Sequence, residues 1–374
     1  MALNALLLSP EPGYRSAGVS QYIHALLRHL PAASPGLQLT AYVEAAVADP
    51  FPGWQVRRLR ARGGRPPWRI VWEQGLLPIE LRRGGVDLLH APVNVGPFLR
   101  PCPLVVTVHD LSFCLYPGTF RPARRLYQQI MARWTVRHAQ RVIAVSQSTR
   151  QDLQRLFAVP ADRVVVVPNG VDPSYRRLPA AVVAEFRRRQ GLPESFLLSV
   201  GTMEPRKNIP RLLEALARVP EAPPLVLVGA KGWYYQAIFA TIERLRLAGR
   251  VRLVGYVGQS ELGLWYNAAS WFVYPSLYEG FGLPVLEALA CGTPAIVSNA
   301  SSLPEVAGEA ALLVDPRDVE ALAATLARAL ADPELAARLR QAGPQQAARY
   351  SWERTARETA AVYRGILNGE ASHA

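Results

Sequence analysis

The sequence predicts an α/β protein of two doubly wound domains, each a parallel sheet covered by helices. Two observations predict it. Short continuous runs of Val, Leu and Ile alternate with longer amphipathic stretches along the chain, as strands buried on both faces require. A length of 374 residues is long for one domain and comfortable for two, each able to bury its own core.

In the first half the apolar runs fall at 5–8, 39–43, 86–89, 104–108, 141–145 and 164–167. The second half carries them at 196–200, 225–228, 251–254, 271–274, 295–297 and 310–314. Stretches 211–218 and 321–330 read as helices, and a final helix starts at Ser351, a good N-cap, and runs through Trp352, Ala356, Thr359 and Tyr363. The boundary is placed near Leu192-Pro193, giving domains 1–192 and 193–350. Residues 1–8 lack a basic leader and a cleavage pattern, so they read as a buried strand and not as a signal peptide.

Half the residues are apolar, yet no run approaches a membrane span. Cys102, Cys114 and Cys291 are odd in number and lack metal-ligand spacing, which argues against a disulfide framework or zinc site and fits a reducing cytosol. Net charge is +13, from 42 basic and 29 acidic residues. That excess favours phosphates, a lipid surface or nucleic acid without choosing among them. Two basic stretches carry aromatics. Residues 54–72 hold six arginines among Trp54, Trp68 and Trp72, and residues 121–141 place Tyr127 and Trp134 among Arg124, Arg125, Arg133 and Arg137. Both suit an anionic membrane surface, and both equally suit a solvated arginine-rich face.

Residues 274–294 are the most informative stretch. A strand ends at Tyr274, a loop carries Glu279, Gly280, Phe281, Gly282 and Leu283, and a short helix begins at Pro284 and stops before Gly292 and Pro294. This order puts Glu279 at a strand's carboxyl end and Glu287 in the helix's first turn. Backbone amides from Phe281 to Leu283 then suit phosphate oxygens or sugar hydroxyls. The bland reading is a strand–loop–helix unit with two solvated glutamates.

A second strand–helix junction holds Gly201, Arg206 and Lys207, with Asn208 as the expected N-cap. Two cations at a positively polarised helix end favour an anion, Arg in bidentate fashion and Lys as a point charge. The bland reading is two exposed basic residues. Gly18, after the first strand, permits close backbone approach but is a weak signal alone. His109, with Asp110, ends a strand at the sheet's carboxyl edge; His90 and Asn94 read as scaffold. No dinucleotide glycine fingerprint is present, which argues against an NAD-dependent oxidoreductase. A nucleic-acid binder would account for the charge and would show salt-steep affinity.

These residues together resemble glycosyltransferase family 4. The stretch from Glu279 to Glu287 resembles the Glu-x7-Glu signature of its retaining members. The resemblance implies the GT-B fold, two Rossmann-like domains facing across a deep cleft, with the last helix (351–368) packing back on the first domain. It implies that Arg206 and Lys207 bind a diphosphate near Gly201, that Glu287 accepts ribose hydroxyls, and that Glu279 and the 280–283 amides orient the donor sugar. Gly18 and His109 belong to the facing domain, and the backbone at Tyr256 reads the base. In one departure, Thr202 stands where many members carry an arginine.

A retaining hexosyltransferase follows. No Asp-x-Asp pair is present to recruit Mg²⁺, so neither metal nor cofactor is expected, and no nucleophile is assigned. Residues 71–74, 109–113 and 204–208 look most like bacterial mannosyltransferase-type members, which makes GDP-mannose the first donor and UDP-glucose or another UDP-hexose the second. The implied acceptor is a saccharide or glycolipid. Nucleic acid is not an expected partner, and a cytoplasmic protein, peripheral at the inner face of the membrane, is the expected setting.

Overall fold

Every named strand pairs in parallel, in one of two sheets. The computed structural model describes residues 1–8, 18–47, 50–59, 66–232 and 234–369. Its first sheet comprises β1 (Ala2–Asn4), β2 (Leu39–Glu44), β3 (Trp54–Leu59), β4 (Leu89–Ala91), β5 (Leu104–Val108), β6 (Arg141–Ala144) and β7 (Val164–Val166), in the order β3-β2-β1-β4-β5-β6-β7. The second comprises β8 (Leu197–Val200), β9 (Leu225–Val228), β10 (Val251–Gly255), β11 (Trp271–Tyr274), β12 (Ala295–Ser298) and β13 (Ala311–Val314), in the order β10-β9-β8-β11-β12-β13. In each sheet the order reverses beside its first strand. These switch points, β1/β4 and β8/β11, open a crevice at the strands' carboxyl ends.

Three strand assignments need correction. Residues 5–8 are not a strand; β1 ends at Asn4, and the chain turns as Leu8 N–H donates to the Ala5 carbonyl at 3.0 Å. Their apolarity reports burial of Ala5 and Leu8, not extension. Strand β4 starts at Leu89, where the run at 86–89 ends. Strand β3 lies inside the basic stretch 54–72 and was not expected at all. It pairs only with β2 at the sheet's edge, where charged side chains are tolerated and discourage further pairing. Trp54 of this strand is buried and its Nε1–H donates to the Leu27 carbonyl at 2.7 Å, while Arg57 points outward.

The domain boundary also moves. The chain divides into Met1–Gly170 with Ser351–Ala374, and Val171–Tyr350. Residues 171–192 therefore belong to the second unit and not the first. The physical reason is the helix Ala180–Gln190, whose Phe186 packs edge-on against Trp265 at 5.2 Å and whose Arg187 donates to the Ala268 carbonyl. The terminal helix Trp352–Leu367, capped by the Ser351 hydroxyl, belongs to the first unit and packs on the helix Val19–Ala33. Its Tyr363 hydroxyl bonds His90 Nδ1 at 2.6 Å; His90 Nε2 bonds Thr107 at 2.8 Å, and Thr107 bonds Tyr22 at 2.9 Å. This buried chain of polar contacts ties both helices to β4 and β5. Burial pulls the His90 pKa down to about 3, so the ring is neutral.

Gly170 closes the first unit against this helix. A Cβ there would stand 2.1 Å from the Trp352 nitrogen and 2.3 Å from the Ser351 carbonyl carbon, both rigid backbone. Gly170→Ala therefore forces the terminal helix away from the sheet. The expected loss is about 3 kcal/mol, the upper end for overpacking, measured by denaturant unfolding; a loss under about 0.5 kcal/mol would refute this packing.

Candidate functional site

In the second unit, the two segments singled out in the sequence meet at the switch point. Gly201 follows β8, the loop 275–282 follows β11, and β8 and β11 are hydrogen-bonded neighbours. The Leu277 N–H donates to the Arg206 carbonyl at 2.8 Å, joining the two loops. Arg206 and Lys207 sit in a short 3-10 turn, Pro205–Lys207, ahead of the helix Ile209–Ala217. Asn208 does not cap that helix. It lies in the left-handed region (φ 60°), and its Nδ2 donates instead to the Pro275 and Pro316 carbonyls at 3.1 and 2.6 Å. Its function is to stitch loops together.

The centre of the site is Glu279, 8% exposed. Its Oε2 meets Arg206 Nη1 at 2.7 Å, and its Oε1 meets Lys207 Nζ at 2.6 Å. Oε1 also accepts from the Ser276 hydroxyl at 2.7 Å and the Tyr274 hydroxyl at 3.0 Å. Burial alone would raise this carboxyl, but Arg206 and Lys207 outweigh it and hold the pKa at about 2. Arg206 further donates to Glu204 Oε1 at 2.6 Å and the Tyr278 carbonyl at 2.6 Å. The cluster's two cations are paired with two carboxylates, Glu204 and Glu279. Gly201 (φ 145°) lies against the Lys207 stem, and a Cβ there would come within 3.2 Å of Lys207 Cε.

Glu287 lies in the helix Leu283–Ala290, in its second turn and not its first, because the helix begins one residue before Pro284. It is buried, and its Oε2 accepts from the Tyr266 hydroxyl at 2.9 Å. Gly282, at φ 109°, turns the chain into this helix. Val285 and Leu286 donate the first bonds back to the Gly282 carbonyl, so the Phe281, Gly282 and Leu283 amides have no partner within the helix. The Phe281 ring faces inward, edge-on to Tyr350 at 5.7 Å. Tyr256 follows the edge strand β10 and is exposed. Sequence reasoning missed Glu204, Tyr266, Tyr274 and Ser276, although all but Tyr266 stand within the motifs already singled out.

The first unit holds His109 just after β5. Its Nε2 bonds the Pro92 carbonyl at 2.8 Å, and its backbone N–H donates to Asn94 Oδ1 at 3.0 Å. A carbonyl only accepts, so Nε2 carries the proton; burial lowers the ring's pKa and keeps it neutral, which leaves Nδ1 as an acceptor. Asp110 serves local structure, accepting from the Ser112 N–H and hydroxyl at 2.9 and 2.6 Å. Gly18 stands at the start of the helix Val19–Ala33 with φ 44°; residues 9–17, just before it, lie outside the described residues. Among the described residues no group of three or more His, Cys, Asp or Glu is placed to hold a metal ion.

The electrostatics yield a stability prediction. A folded pKa near 2, below the unfolded value of about 4.3, gives stability that is present above about pH 4.3 and lost as pH falls towards about 2. Glu279→Gln removes that pH dependence and leaves Lys207 without a carboxylate partner and Arg206 with Glu204 alone, at a cost of about 3–5 kcal/mol at pH 7. Unfolding titrations of both proteins from pH 7 to pH 2 test this; parallel curves would refute it.

Comparison with known proteins identifies the chain's relatives. Residues 183–346 match the family model described as Glycosyl transferases group 1, and residues 16–175 match Glycosyltransferase Family 4. O-antigen chain mannosyltransferase B of Escherichia coli is 38% identical over 378 residues, spanning 96% of this chain and 99% of its own. MMP alpha-(1->4)-mannosyltransferase of Mycolicibacterium hassiacum is 32% identical over 303 residues, 75% of this chain and 71% of its own. Sucrose-phosphate synthase from Thermosynechococcus elongatus superposes with a TM-score of 0.81 at 26% identity, covering 98% of this chain and 99% of that one. With its two parallel-sheet α/β units of the GT-B class and a 38% identical relative matched along almost its full length, the chain belongs to glycosyltransferase family 4.

Proposed function

We propose that this glycosyltransferase is a retaining, metal-independent mannosyltransferase that uses GDP-mannose and extends a saccharide or glycolipid acceptor. Two relatives named as mannosyltransferases support the sugar. The carrying observation is the buried Arg206–Glu279–Lys207 cluster at the β8/β11 switch point. In this reading Glu279 is a positioning residue. It holds a guanidinium and an ammonium in place before charge develops on the leaving diphosphate, and a donor fixed in advance costs no reorganisation during reaction. Lys207 spends two N–H groups on Glu279 and Tyr274 and keeps a third for a phosphate oxygen. One such donor is worth roughly 3–4 kcal/mol of barrier, so two cations supply what a divalent ion would.

Glu287, oriented by Tyr266, accepts the ribose hydroxyls, and the Gly280–Leu283 backbone addresses the sugar. In the transfer step the anomeric carbon–oxygen bond to the diphosphate breaks. The acceptor hydroxyl oxygen bonds that carbon on the same face, and its proton passes to the departing phosphate oxygen. His109 contributes Nδ1 as a hydroxyl acceptor. Membrane contact is a property we assign to the first unit.

Thermal shifts with GDP-mannose, UDP-glucose and ADP-glucose in EDTA test the reading. GDP-mannose at 100 times its Kd stabilises by about 2.7 kcal/mol, and Lys207→Ala and Glu287→Ala lose that increment. Stabilisation by no nucleotide sugar would refute the donor site; an undiminished shift in both variants would refute the residue map; a shift with UDP-glucose alone would replace the donor. His109→Ala leaves the nucleotide shift intact and lowers transfer about tenfold or more, followed as GDP release with a mannoside acceptor.

A further inference from the structure

The first unit carries most of the protein's charge excess. Met1–Gly170 with Ser351–Ala374 holds 23 basic and 12 acidic residues, net +11 of the total +13. The donor-site cluster is locally balanced and lies in the other unit, so it accounts for none of this excess.

Three segments of the first unit expose large apolar side chains beside these charges. From 66 to 83 the chain is helical, with a π turn at Trp72–Leu76. Trp72, Leu77 and Leu81 face the core, yet Trp68 (59% exposed), Val71, Leu76 and Ile79 face outward. A helix apolar on both faces is expected to be covered on both. The helix Pro122–His138 repeats the arrangement: Met131, Ala132, Thr135 and Val136 are buried, while Leu126 and Ile130, one turn apart, are exposed. It contains four arginines and no acidic residue.

Phe98 and Leu99 (73% exposed) join the two helices. The Phe98 N–H donates to Gln74 Oε1 at 2.9 Å, and its ring stands edge-on to Trp134 at 4.4 Å. Arg100 lies over the same indole at 5.6 Å, and Arg69 is near enough to Arg124 to lower its pKa, after burial. Phe98 thus joins Gln74 of the first helical stretch to Trp134 of the second, and the exposed apolar residues of all three segments flank this junction together with arginines.

We propose that this patch docks on an anionic lipid surface. Its apolar side chains enter the boundary between headgroups and acyl chains, and Arg69, Arg124 and Arg133 meet the lipid phosphates. Charge complementarity selects lipid over a second copy of this chain, because self-association would press two strongly basic faces together. The surface differs from the one the basic stretches suggest in sequence, since Trp54 and Trp72 are buried and unavailable.

The test is co-sedimentation of the full chain with vesicles of phosphatidylglycerol mixed into phosphatidylcholine, and with phosphatidylcholine alone. The mixed vesicles bind and the neutral ones do not. Arg124→Glu and Arg133→Glu each weaken binding by about fivefold or more, added salt weakens it further, and Leu126→Glu with Ile130→Glu abolishes it. All variants keep the parent's melting temperature and its nucleotide-sugar shift, which separates failure here from failure of the donor site. Equal binding to both vesicle types, or undiminished binding by the Leu126/Ile130 variant, would overturn the proposal. So would a parent dimer that this variant dissolves without either protein sedimenting, which would make the patch a contact between copies.

Discussion

A carboxylate buried as deeply as Glu279 stays ionised only if its lost hydration is replaced, and here two cations and two hydroxyls replace it. The dependence runs both ways. Burial pulls the pKa of Lys207, packed against Gly201, downward, and Glu279 opposes that shift. Loops after two neighbouring strands are thereby locked together by charge, and the Leu277–Arg206 backbone bond fixes their register. A buried ion cluster of this kind is a poor way to gain stability against an apolar core of equal volume. What it gives instead is geometry: two cations held in fixed positions.

The six strands of the second sheet follow the same order as the first six of the first sheet, so the two units reverse at corresponding places. Where a doubly wound sheet reverses direction, neighbouring helices leave on opposite faces and leave the strand ends uncovered. In the second unit this gap lies between β8 and β11, and the Arg206–Lys207 turn and the Glu279 loop are the connections that leave those two strands. His109 leaves β5, one strand beyond the first unit's switch point. A strand's last residue and the turn after it thus carry the polar side chains of the candidate site, while the preceding residues serve the core.

Sequence revealed most where one physical cause dominates. Runs such as 104–108 and 225–228 coincide with β5 and β9, because strands covered on both faces favour apolar residues and take a polar one only where it is bonded, as Thr107 is to His90 and Tyr22. Edge strand β3 was hidden because exposure on one side frees Arg57 and Arg58 from that rule. Residues 5–8 misled because an apolar turn and an apolar strand bury the same side chains. The boundary at 192 misplaced residues 171–192, because their placement depends on the Phe186–Trp265 contact between residues far apart in sequence. At the site, the cations and both glutamates were legible as motif members. Their mutual pairing was not, since Glu279 and Lys207 are 72 residues apart and only folding brings them to 2.6 Å.

That pairing changes how the protein's charge must be read. Taken as a number, +13 invites the inference that positive potential gathers where the diphosphate binds. The structure separates the two. At the Arg206–Glu279–Lys207 cluster the carboxylates of Glu204 and Glu279 cancel Arg206 and Lys207, so in the proposed reading affinity for an anion there rests on directed N–H groups and not on surplus charge. Directed donors act at contact distance and survive salt, whereas a diffuse excess is screened within about 10 Å at moderate ionic strength. Recognition of a small anion suits the first arrangement. Attraction to an extended anionic surface suits the second, and the unit that carries +11 is also the one whose helices turn apolar side chains outward.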